Sequence, residues 1–248
     1  MNGLHAVVTG GGSGIGAAIA KALSAQGVRV VLMGRSLQRL KSLGLPETQC
    51  IAADVADAAS VQAAFDAAAA FGPVDILVNS AGQVEAQPFV RTTPDLWQRM
   101  LDVNLGGSFL CTRQVLPGMT ERRFGRIVNI ASTAALKGYA YVAAYCAAKH
   151  GVLGLTRALA LEVARKGVTV NAVCPGYTET PIVERAVDQI ASKTGRSAGE
   201  ARAELAGTNP QGRLVQPDEV AQAVLWLCRR ESAAITGQAI AVAGGEVM

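Results

Sequence analysis

The chain has 248 residues, of which 50% are hydrophobic and 17% are charged, so it can bury a large core and is not a disordered protein. Its net charge of +4 is spread without a dense lysine and arginine cluster, which argues against nucleic-acid binding. The sequence has no apolar run of membrane length, no CxxC pair among its five cysteines and no neighbouring histidines. The chain is therefore expected to be cytoplasmic, with no membrane and no metal site.

The first unit is a predicted strand, a glycine-rich turn and a predicted helix. The strand pattern covers residues 4–10, and the helix is expected over residues 17–26. Between them lies Gly10-Gly11-Gly12-Ser13-Gly14-Ile15-Gly16. At such a turn backbone N–H groups and the positive helix end converge, and absent side chains let a pyrophosphate approach. The turn therefore predicts a dinucleotide site, with a flexible glycine turn as the alternative.

The end of the second predicted strand, residues 28–34, indicates which cofactor binds. An acidic side chain here accepts the ribose 2′-hydroxyl of NAD, whereas an arginine accommodates the 2′-phosphate of NADP. This chain has Gly34 where the acid would lie, and Arg35 follows it. Because Arg35 can pair with a phosphate, NADP(H) is preferred and NAD(H) is the alternative. A solvated arginine at a strand end would explain Arg35 equally simply.

The remaining units continue the alternation of strand and helix. Further strands are predicted at residues 48–55, 74–79, 126–131, 168–173 and 238–242, and further helices at residues 37–43, 60–71, 94–118, 142–164 and 217–228. Several strands are continuously apolar, which is typical of a parallel sheet covered by helices on both faces. The sequence predicts a single α/β domain over residues 1–248, a doubly wound Rossmann-type fold. Residues 177–212 lose strand character, and amphipathic stretches at 182–193 and 198–206 predict a helical substrate lid.

Tyr145 and Lys149 lie four residues apart in the predicted helix at residues 142–164. Positions i and i+4 share one helix face, so both side chains can enter the same pocket. A neighbouring ammonium favours the ionised form of a phenol, so Lys149 is expected to lower the pKa of Tyr145. Tyr145 would then exchange protons near neutrality. On spacing alone, a packed aromatic beside a solvated lysine is the alternative.

Together, the motifs of this chain resemble those of the classical short-chain dehydrogenase/reductase family over essentially its whole length. In chain order they are Thr9-Gly10-Gly11-Gly12-Ser13-Gly14-Ile15-Gly16, Asp54-Val55, Asn79-Ser80-Ala81-Gly82, Asn104, Ser132 with Tyr145-x-x-x-Lys149, and Pro175-Gly176 with Thr178 and Thr180. Ser80 departs from the family pattern, which has a second asparagine there. The resemblance is to 3-oxoacyl-thioester and polyketide reductases, and to 3-hydroxyacyl and 3-hydroxybutyrate dehydrogenases.

The resemblance implies a catalytic role for Asn104, Ser132, Tyr145 and Lys149. Ser132 would polarise the substrate carbonyl, and Tyr145 would protonate its oxygen as hydride arrives. Lys149 would hold the nicotinamide ribose and lower the pKa of Tyr145, and Asn104 would anchor a water for proton resupply. The alternatives are a strand-end cap for Ser132, with Thr133 as another hydroxyl, and a helix kink for Asn104.

The resemblance also implies the contacts of the two ligands. The predicted cofactor contacts are Gly10, Gly12, Ser13, Gly14, Ile15, Gly16, Arg35, Asp54, Val55, Asn79, Ala81, Gly82, Tyr145, Lys149, Pro175, Gly176, Thr178 and Thr180. Asp54 is expected to face the adenine amino group, and the segment from Pro175 to cover the nicotinamide. The predicted substrate pocket is apolar with hydroxyl edges and is lined by Ala134, Leu136, Tyr139 and Tyr177.

These expectations describe an NAD(P)(H)-dependent oxidoreductase that interconverts a ketone and a secondary alcohol, on a 3-oxoacyl thioester or a similar small carbonyl compound. One alternative is a catalytically silent cofactor sensor or assembly subunit, and another is an enzyme of non-thioester ketones such as 3-hydroxybutyrate or a polyketide. Family members are usually homotetramers that pair through the helices carrying Asn104 and Tyr145, and a homotetramer is expected here.

The predicted lid carries several basic residues, namely Arg185, Lys193, Arg196 and Arg202. Their simplest interpretation is a solvated helix face. The sharper hypothesis is that one of them holds the phosphate of an anionic acyl carrier.

Overall fold

The computed structural model describes residues 1–248, and its central feature is one sheet of seven strands. In chain order the strands are β1 (His5–Thr9), β2 (Arg29–Gly34), β3 (Thr48–Ala52), β4 (Ile76–Asn79), β5 (Gly125–Ile130), β6 (Val168–Pro175) and β7 (Ala239–Val242). Their order across the sheet is β3-β2-β1-β4-β5-β6-β7, and every adjacent pair is parallel. The predicted doubly wound α/β fold is confirmed.

Helices connect the strands and cover both faces of the sheet, as parallel pairing requires. They are α1 (Gly14–Ala25), α2 (Leu37–Lys41), α3 (Ala58–Ala69), α4 (Pro94–Leu101), α5 (Gly107–Glu121), α6 (Ala143–Val163), α7 (Pro181–Thr194), α8 (Ala198–Gly207) and α9 (Pro217–Cys228). The helices α1 and α9 build the core on one face, and α3, α5 and α6 build it on the other.

The central strand β1 shows why these strands are continuously apolar. Successive side chains of a strand point to opposite faces. Ala6 and Val8 accordingly pack in the α1 and α9 layer, whereas Val7 packs in the α3, α5 and α6 layer, and all three are fully buried. A strand covered on both sides has no position left for a solvated residue.

The order of the strands reverses at β1, with β2 and β3 on one side and β4 to β7 on the other. In open α/β sheets the crevice at the carboxyl ends of such strands is where ligands bind. The glycine-rich turn after β1 and the loops after β4, β5 and β6 meet at this edge. The fold therefore places all the predicted motifs around one crevice.

The predicted helix over residues 94–118 is in fact two helices joined by a π turn. α4 ends at Leu101, the π turn covers Asp102–Gly106, and α5 continues to Glu121. Asn104 lies within the π turn. Such turns interrupt the regular helix ladder and are frequent at functional sites.

The two helices predicted for the lid are present as α7 and α8. Val183 and Val187 of α7 pack against Ala201 and Leu205 of α8 in a small separate core. Ser197 begins α8 with a capping box, because its hydroxyl accepts the Glu200 N–H at 3.2 Å while the Glu200 carboxylate accepts the Ser197 N–H at 2.8 Å.

None of the α-helices combines the length and the apolar character needed to cross a bilayer. No group of three or more His, Cys, Asp or Glu side chains is arranged to hold a metal ion. All five cysteines are free thiols.

Candidate active site

The glycine-rich turn is held tightly against the loop that follows β4. The Thr9 hydroxyl accepts the N–H groups of Ser80 and Ala81, both at 3.1 Å. Gly10 has a φ of 66°, and a Cβ at this position would lie 2.9 Å from the Ala81 backbone. Only glycine adopts this backbone and allows this approach without strain. The turn is therefore a fixed cradle rather than a flexible linker.

The first turn of α1 is open to an anion. Ser13 precedes the helix without making a side-chain cap, and no acidic residue lies in the first turn. Its N–H groups and the positive end of the helix dipole therefore face the crevice, where they suit a pyrophosphate. A Cβ at Gly14 would lie 3.1 Å from Thr180 Cγ2, so the start of the lid covers this turn. The cradle fits the phosphates of a dinucleotide.

Two arginines lie beside the outer end of this cradle. Arg35 is exposed after β2, as predicted. Arg39 was not predicted, although its Cβ would lie 3.3 Å from a Cβ at Gly12. Neither arginine is engaged in an ion pair. The Ser36 hydroxyl caps α2 by accepting the Arg39 N–H at 3.4 Å. A serine in this position is the sequence feature that could have predicted a helix start here, with Arg39 in its first turn.

The adenine side of the crevice is bordered by the loop after β3. The Asp54 N–H donates to the Ser60 hydroxyl at 2.9 Å, and the Asp54 carboxylate accepts the Ala56 N–H at 3.0 Å. This leaves the second carboxylate oxygen of Asp54 without a protein partner in a half-exposed position. Val55 is buried, and a Cβ at Gly107 would lie 2.8 Å from its Cγ2. The side chain of Val55 thus packs on α5, and only its backbone borders the crevice.

The side chain of Asn79, a predicted cofactor contact, points into the protein interior. The Asn79 amide donates to Asn129 Oδ1 at 2.8 Å and to Thr112 Oγ1 at 3.1 Å. Asn129 in turn donates to Thr156 Oγ1 of α6 at 2.9 Å. The side chain of Asn79 links two strands to two helices, so only its backbone remains for the cofactor.

Ser132, Tyr145 and Lys149 are brought together between β5, α6 and β6. Ser132 follows β5, and its hydroxyl is close enough to the Tyr145 phenol to act on the pKa of that phenol. Lys149 is 4% exposed, donates to the Ile130 carbonyl at 2.8 Å and lies 5.6 Å from the ring centroid of Tyr145. The Ser132 hydroxyl also accepts the Ala134 N–H at 3.1 Å. The strand-end cap and the predicted catalytic position therefore coincide in one residue.

Asn104 adjoins this cluster through the loop after β4. Its amide donates to the carbonyls of Gln83 at 2.9 Å and Met100 at 3.0 Å, and its Oδ1 accepts the Gln83 N–H at 3.2 Å. A Cβ at Gly82 would lie 2.9 Å from Asn104 Oδ1 and 3.7 Å from Lys149 Nζ. The side chain of Asn104 thus holds the loop that borders Lys149.

Burial shifts the pKa values of Tyr145 and Lys149 in opposite directions. Burial raises the pKa of Tyr145 to about 12, although the nearby Ser132 hydroxyl opposes this shift. Burial lowers the pKa of Lys149 to about 8. Desolvation disfavours the charged form of both groups, and for Tyr145 it is the largest cause of the shift. That Lys149 lowers the pKa of Tyr145 stays a prediction.

The segment expected to cover the nicotinamide follows β6. The Thr178 hydroxyl donates to the Gly176 carbonyl at 2.9 Å, and the Thr180 hydroxyl donates to the Thr178 carbonyl at 3.1 Å. Both hydroxyl protons are therefore used within the segment. Their oxygen lone pairs remain, and they suit a ligand that donates, such as a carboxamide NH₂.

The predicted substrate residues lie on the other side of Ser132. Tyr139 and Tyr177 meet edge to face, with ring centroids 6.3 Å apart. Leu136 is exposed beside them, whereas the side chain of Ala134 is 2% exposed and packed inward. The Tyr139 hydroxyl donates to the Glu246 carboxylate, a contact from the end of the chain that the sequence motifs did not indicate.

The basic residues of the lid fall into two groups. Arg202 pairs with both carboxylate oxygens of Glu179, and Arg196 pairs with Glu204. Their charges are engaged within the lid, which disfavours the hypothesis that they hold a carrier phosphate. Arg185 and Lys193 form no ion pair.

Comparison with known proteins extends the likeness from motifs to the whole chain. The family model described as enoyl-(acyl carrier protein) reductase matches residues 10–246. The acetoacetyl-CoA reductase of Shinella zoogloeoides is 40% identical over 97% of this chain and 97% of its own length. The D-beta-hydroxybutyrate dehydrogenase of Cupriavidus necator is 38% identical over 100% of this chain and 99% of its own. Among solved structures, a variant of actinorhodin polyketide ketoreductase with NADPH is 42% identical and has a TM-score of 0.92, over 98% of this chain and 97% of its own.

Proposed function

The chain belongs to the short-chain dehydrogenase/reductase family, and from that premise we propose that it reduces the 3-oxo group of an acyl thioester with NADPH. Its general class is that of an NAD(P)-dependent oxidoreductase that interconverts ketones and secondary alcohols. The convergence of Ser132, Tyr145 and Lys149 beside the open cradle of α1 carries the proposal.

The proposed roles follow from the groups that each side chain offers. Ser132 donates a hydrogen bond to the substrate carbonyl oxygen and stabilises the negative charge that develops there. Tyr145 transfers its phenolic proton to that oxygen. Lys149 holds the ribose hydroxyls beside the nicotinamide, and Asn104 keeps the neighbouring loop in place. The dinucleotide supplies the hydride to the carbonyl carbon when it is bound.

The protonation of Tyr145 sets its role at neutral pH. Burial raises the pKa of Tyr145 to about 12, so the phenol keeps the proton that it transfers to the carbonyl oxygen during reduction.

NADPH is proposed over NADH because of the charges near the cradle. Arg35 and Arg39 form no ion pair, and no acidic residue stands at the end of β2. An arginine binds a phosphate through charge-assisted hydrogen bonds. The related ketoreductase with NADPH supports the same choice.

A thioester is proposed over a free 3-oxo acid because of the substrate side of the crevice. Tyr139 and Tyr177 provide aromatic edges, and the Glu246 carboxylate lies behind Tyr139. These aromatic edges suit the apolar acyl part of a thioester better than a free carboxylate, whose burial without a partner is costly. The relative named acetoacetyl-CoA reductase agrees with this choice.

We propose further that the enzyme is a homotetramer in a reducing compartment such as the cytoplasm. Phe109 of α5 is 49% exposed and Leu161 of α6 is 82% exposed, on the helices through which members of this family pair. The free thiols of all five cysteines agree with a reducing environment.

The substrate proposal is tested by following NADPH oxidation with acetoacetyl-CoA, acetoacetate and a neutral cyclic ketone. The highest kcat/KM is expected with the thioester and the lowest with the free acid. Turnover with acetoacetate alone would contradict the choice of substrate. Failure to oxidise NADPH with any ketone would favour a silent cofactor sensor.

A further inference from the structure

Glu246 is a buried carboxylate in the segment after β7. Its side chain is 1% exposed, whereas a glutamate side chain is usually solvated. Burying a carboxylate is costly unless other groups hold its charge. Specific groups must therefore hold the charge of Glu246.

The partners of Glu246 all belong to the loop that begins with Ser132. Lys137 Nζ lies 3.1 Å from Glu246 Oε1, and the Tyr139 hydroxyl donates to the same oxygen. The Tyr139 oxygen lies 2.6 Å from Thr133 Oγ1. Lys137 also lies 5.0 Å from the ring centroid of Tyr139. The end of the chain is thus joined to the residue directly after Ser132.

The donor inventory fixes the direction of this chain of hydrogen bonds. An ionised carboxylate only accepts, and a phenol has a single proton, so Tyr139 donates to Glu246. The Thr133 hydroxyl must then donate its own proton to the Tyr139 oxygen. Thr133 has no proton left for a substrate carbonyl. Of the two neighbouring hydroxyls, only Ser132 remains available as a donor.

The terminal segment, residues 244–246, is also anchored to the lid. Gly244 has a φ of 59°, and a Cβ there would lie 2.0 Å from the Oδ1 of Asn209, a buried residue after α8. The second oxygen of Glu246 is buried without a partner, and a Cβ at Gly176 would lie 2.9 Å from it. The terminal segment therefore touches the lid, the segment after β6 and the Ser132 loop together.

We propose that Glu246 is a positioning residue for carbonyl reduction, which acts through Tyr139 to hold the Ser132 loop and to keep the Thr133 proton away from the substrate. This inference rests on the proposed function, since it concerns the donor to the substrate carbonyl. Glutamine in place of Glu246 has the same shape but carries an amide that can donate to Tyr139. The direction of the hydrogen bonds would then no longer be determined.

A double-mutant cycle tests this role. Glu246→Gln, Tyr139→Phe and the double variant are compared with wild type for kcat with acetoacetyl-CoA, KM for NADPH and the thermal unfolding midpoint. Each single variant is expected to lower kcat roughly tenfold, because a small displacement of a catalytic group has a large effect on rate. The kcat of the double variant is expected to be no lower than that of the less active single variant. KM for NADPH should stay unchanged. Glu121→Gln removes an exposed carboxylate at the far end of α5 and is the control.

A wild-type kcat in Glu246→Gln, or effects of the two substitutions that simply multiply, would overturn the inference while leaving the proposed function intact. A merely structural contact would change the unfolding midpoint without changing kcat, which also overturns it. If wild type reduces no ketone, the proposed function fails instead. In that case the unfolding midpoints still test the contact between Glu246 and Tyr139. Independent effects of the two substitutions on the midpoint would show that Glu246 does not act through Tyr139.

Discussion

At the scale of single residues, the chemistry depends on which groups keep their charge in the crevice. Lys149 is buried, and its pKa is lowered to about 8, so it is an ammonium below that pH and a neutral amine above it. Only the ammonium can hold ribose hydroxyls through charge-assisted hydrogen bonds. The strength of cofactor binding is therefore tied to the protonation of one side chain.

This dependence predicts that NADPH binds more weakly as the pH rises through about 8, the pKa of Lys149. NADPH fluorescence titrations at closely spaced pH values would measure the Kd. Lys149→Arg keeps its charge throughout this range, so its Kd should stay flat even if binding is weaker overall. A wild-type Kd that does not change across this pH range would show that the Lys149 ammonium does not bind the cofactor.

The two arginines near the cradle predict the cofactor preference. Arg35→Ala and Arg39→Ala should each raise KM for NADPH roughly tenfold, or about 1.4 kcal/mol, because each removes a charge-assisted contact with the 2′-phosphate. KM for NADH is the internal control and should stay within about twofold. Equal increases in KM for NADPH and NADH would show that these arginines do not contact the 2′-phosphate.

At the scale of elements, the π turn between α4 and α5 is the feature on which the crevice depends most. Asn104 is 1% exposed and pairs with both the N–H and the carbonyl of Gln83. Asn104→Ala would leave these two main-chain groups without partners. We expect a loss of about 2–3 kcal/mol in unfolding free energy, measured by urea titration.

Gln98→Ala on the neighbouring α4 is the matched control, because it removes an exposed hydrogen bond to Asp102 at 2.8 Å. Its effect should stay within about 0.5 kcal/mol. If the two variants were equally stable, the contact between Asn104 and Gln83 would not hold the loop.

The elements themselves were predictable because their burial is periodic. β1 has an apolar centre and is buried at every position, whereas the buried residues of α6 recur at helical spacing, so the strand and the helix were both evident. The glycine cradle and the spacing of Tyr145 and Lys149 were evident for the same reason, since each lies within one element. The approach of these two residues to Ser132 followed from the family resemblance.

Other features depend on contacts between distant segments, which no local pattern contains. Glu246 reaches Tyr139 across 107 residues, and Asn79 reaches Asn129 across 50 residues. The pKa of Tyr145 also depends on burial, which only the packed structure defines. The spacing of Lys149 and Tyr145 contains no information on the desolvation of either group.

At the scale of the whole molecule, the exposed apolar residues of α5 and α6 predict an assembly. A large side chain such as Leu161, at 82% exposure, is expected to be covered by a second copy of the chain. Light scattering should give the mass of a tetramer at micromolar concentration, and Leu161→Asp should lower that mass. Val90→Asp, at 91% exposure away from both helices, should leave it unchanged. A monomeric wild type would contradict the assembly.

The whole crevice can act as a reductase only if the phenol of Tyr145 delivers a proton to the substrate. The most direct measurement is the rate of NADPH oxidation with acetoacetyl-CoA by wild type and Tyr145→Phe, with NADPH binding measured in parallel. We expect the variant to bind NADPH within about twofold of wild type while kcat falls by roughly 10²–10⁴. Turnover close to that of wild type, with NADPH still bound, would contradict the account.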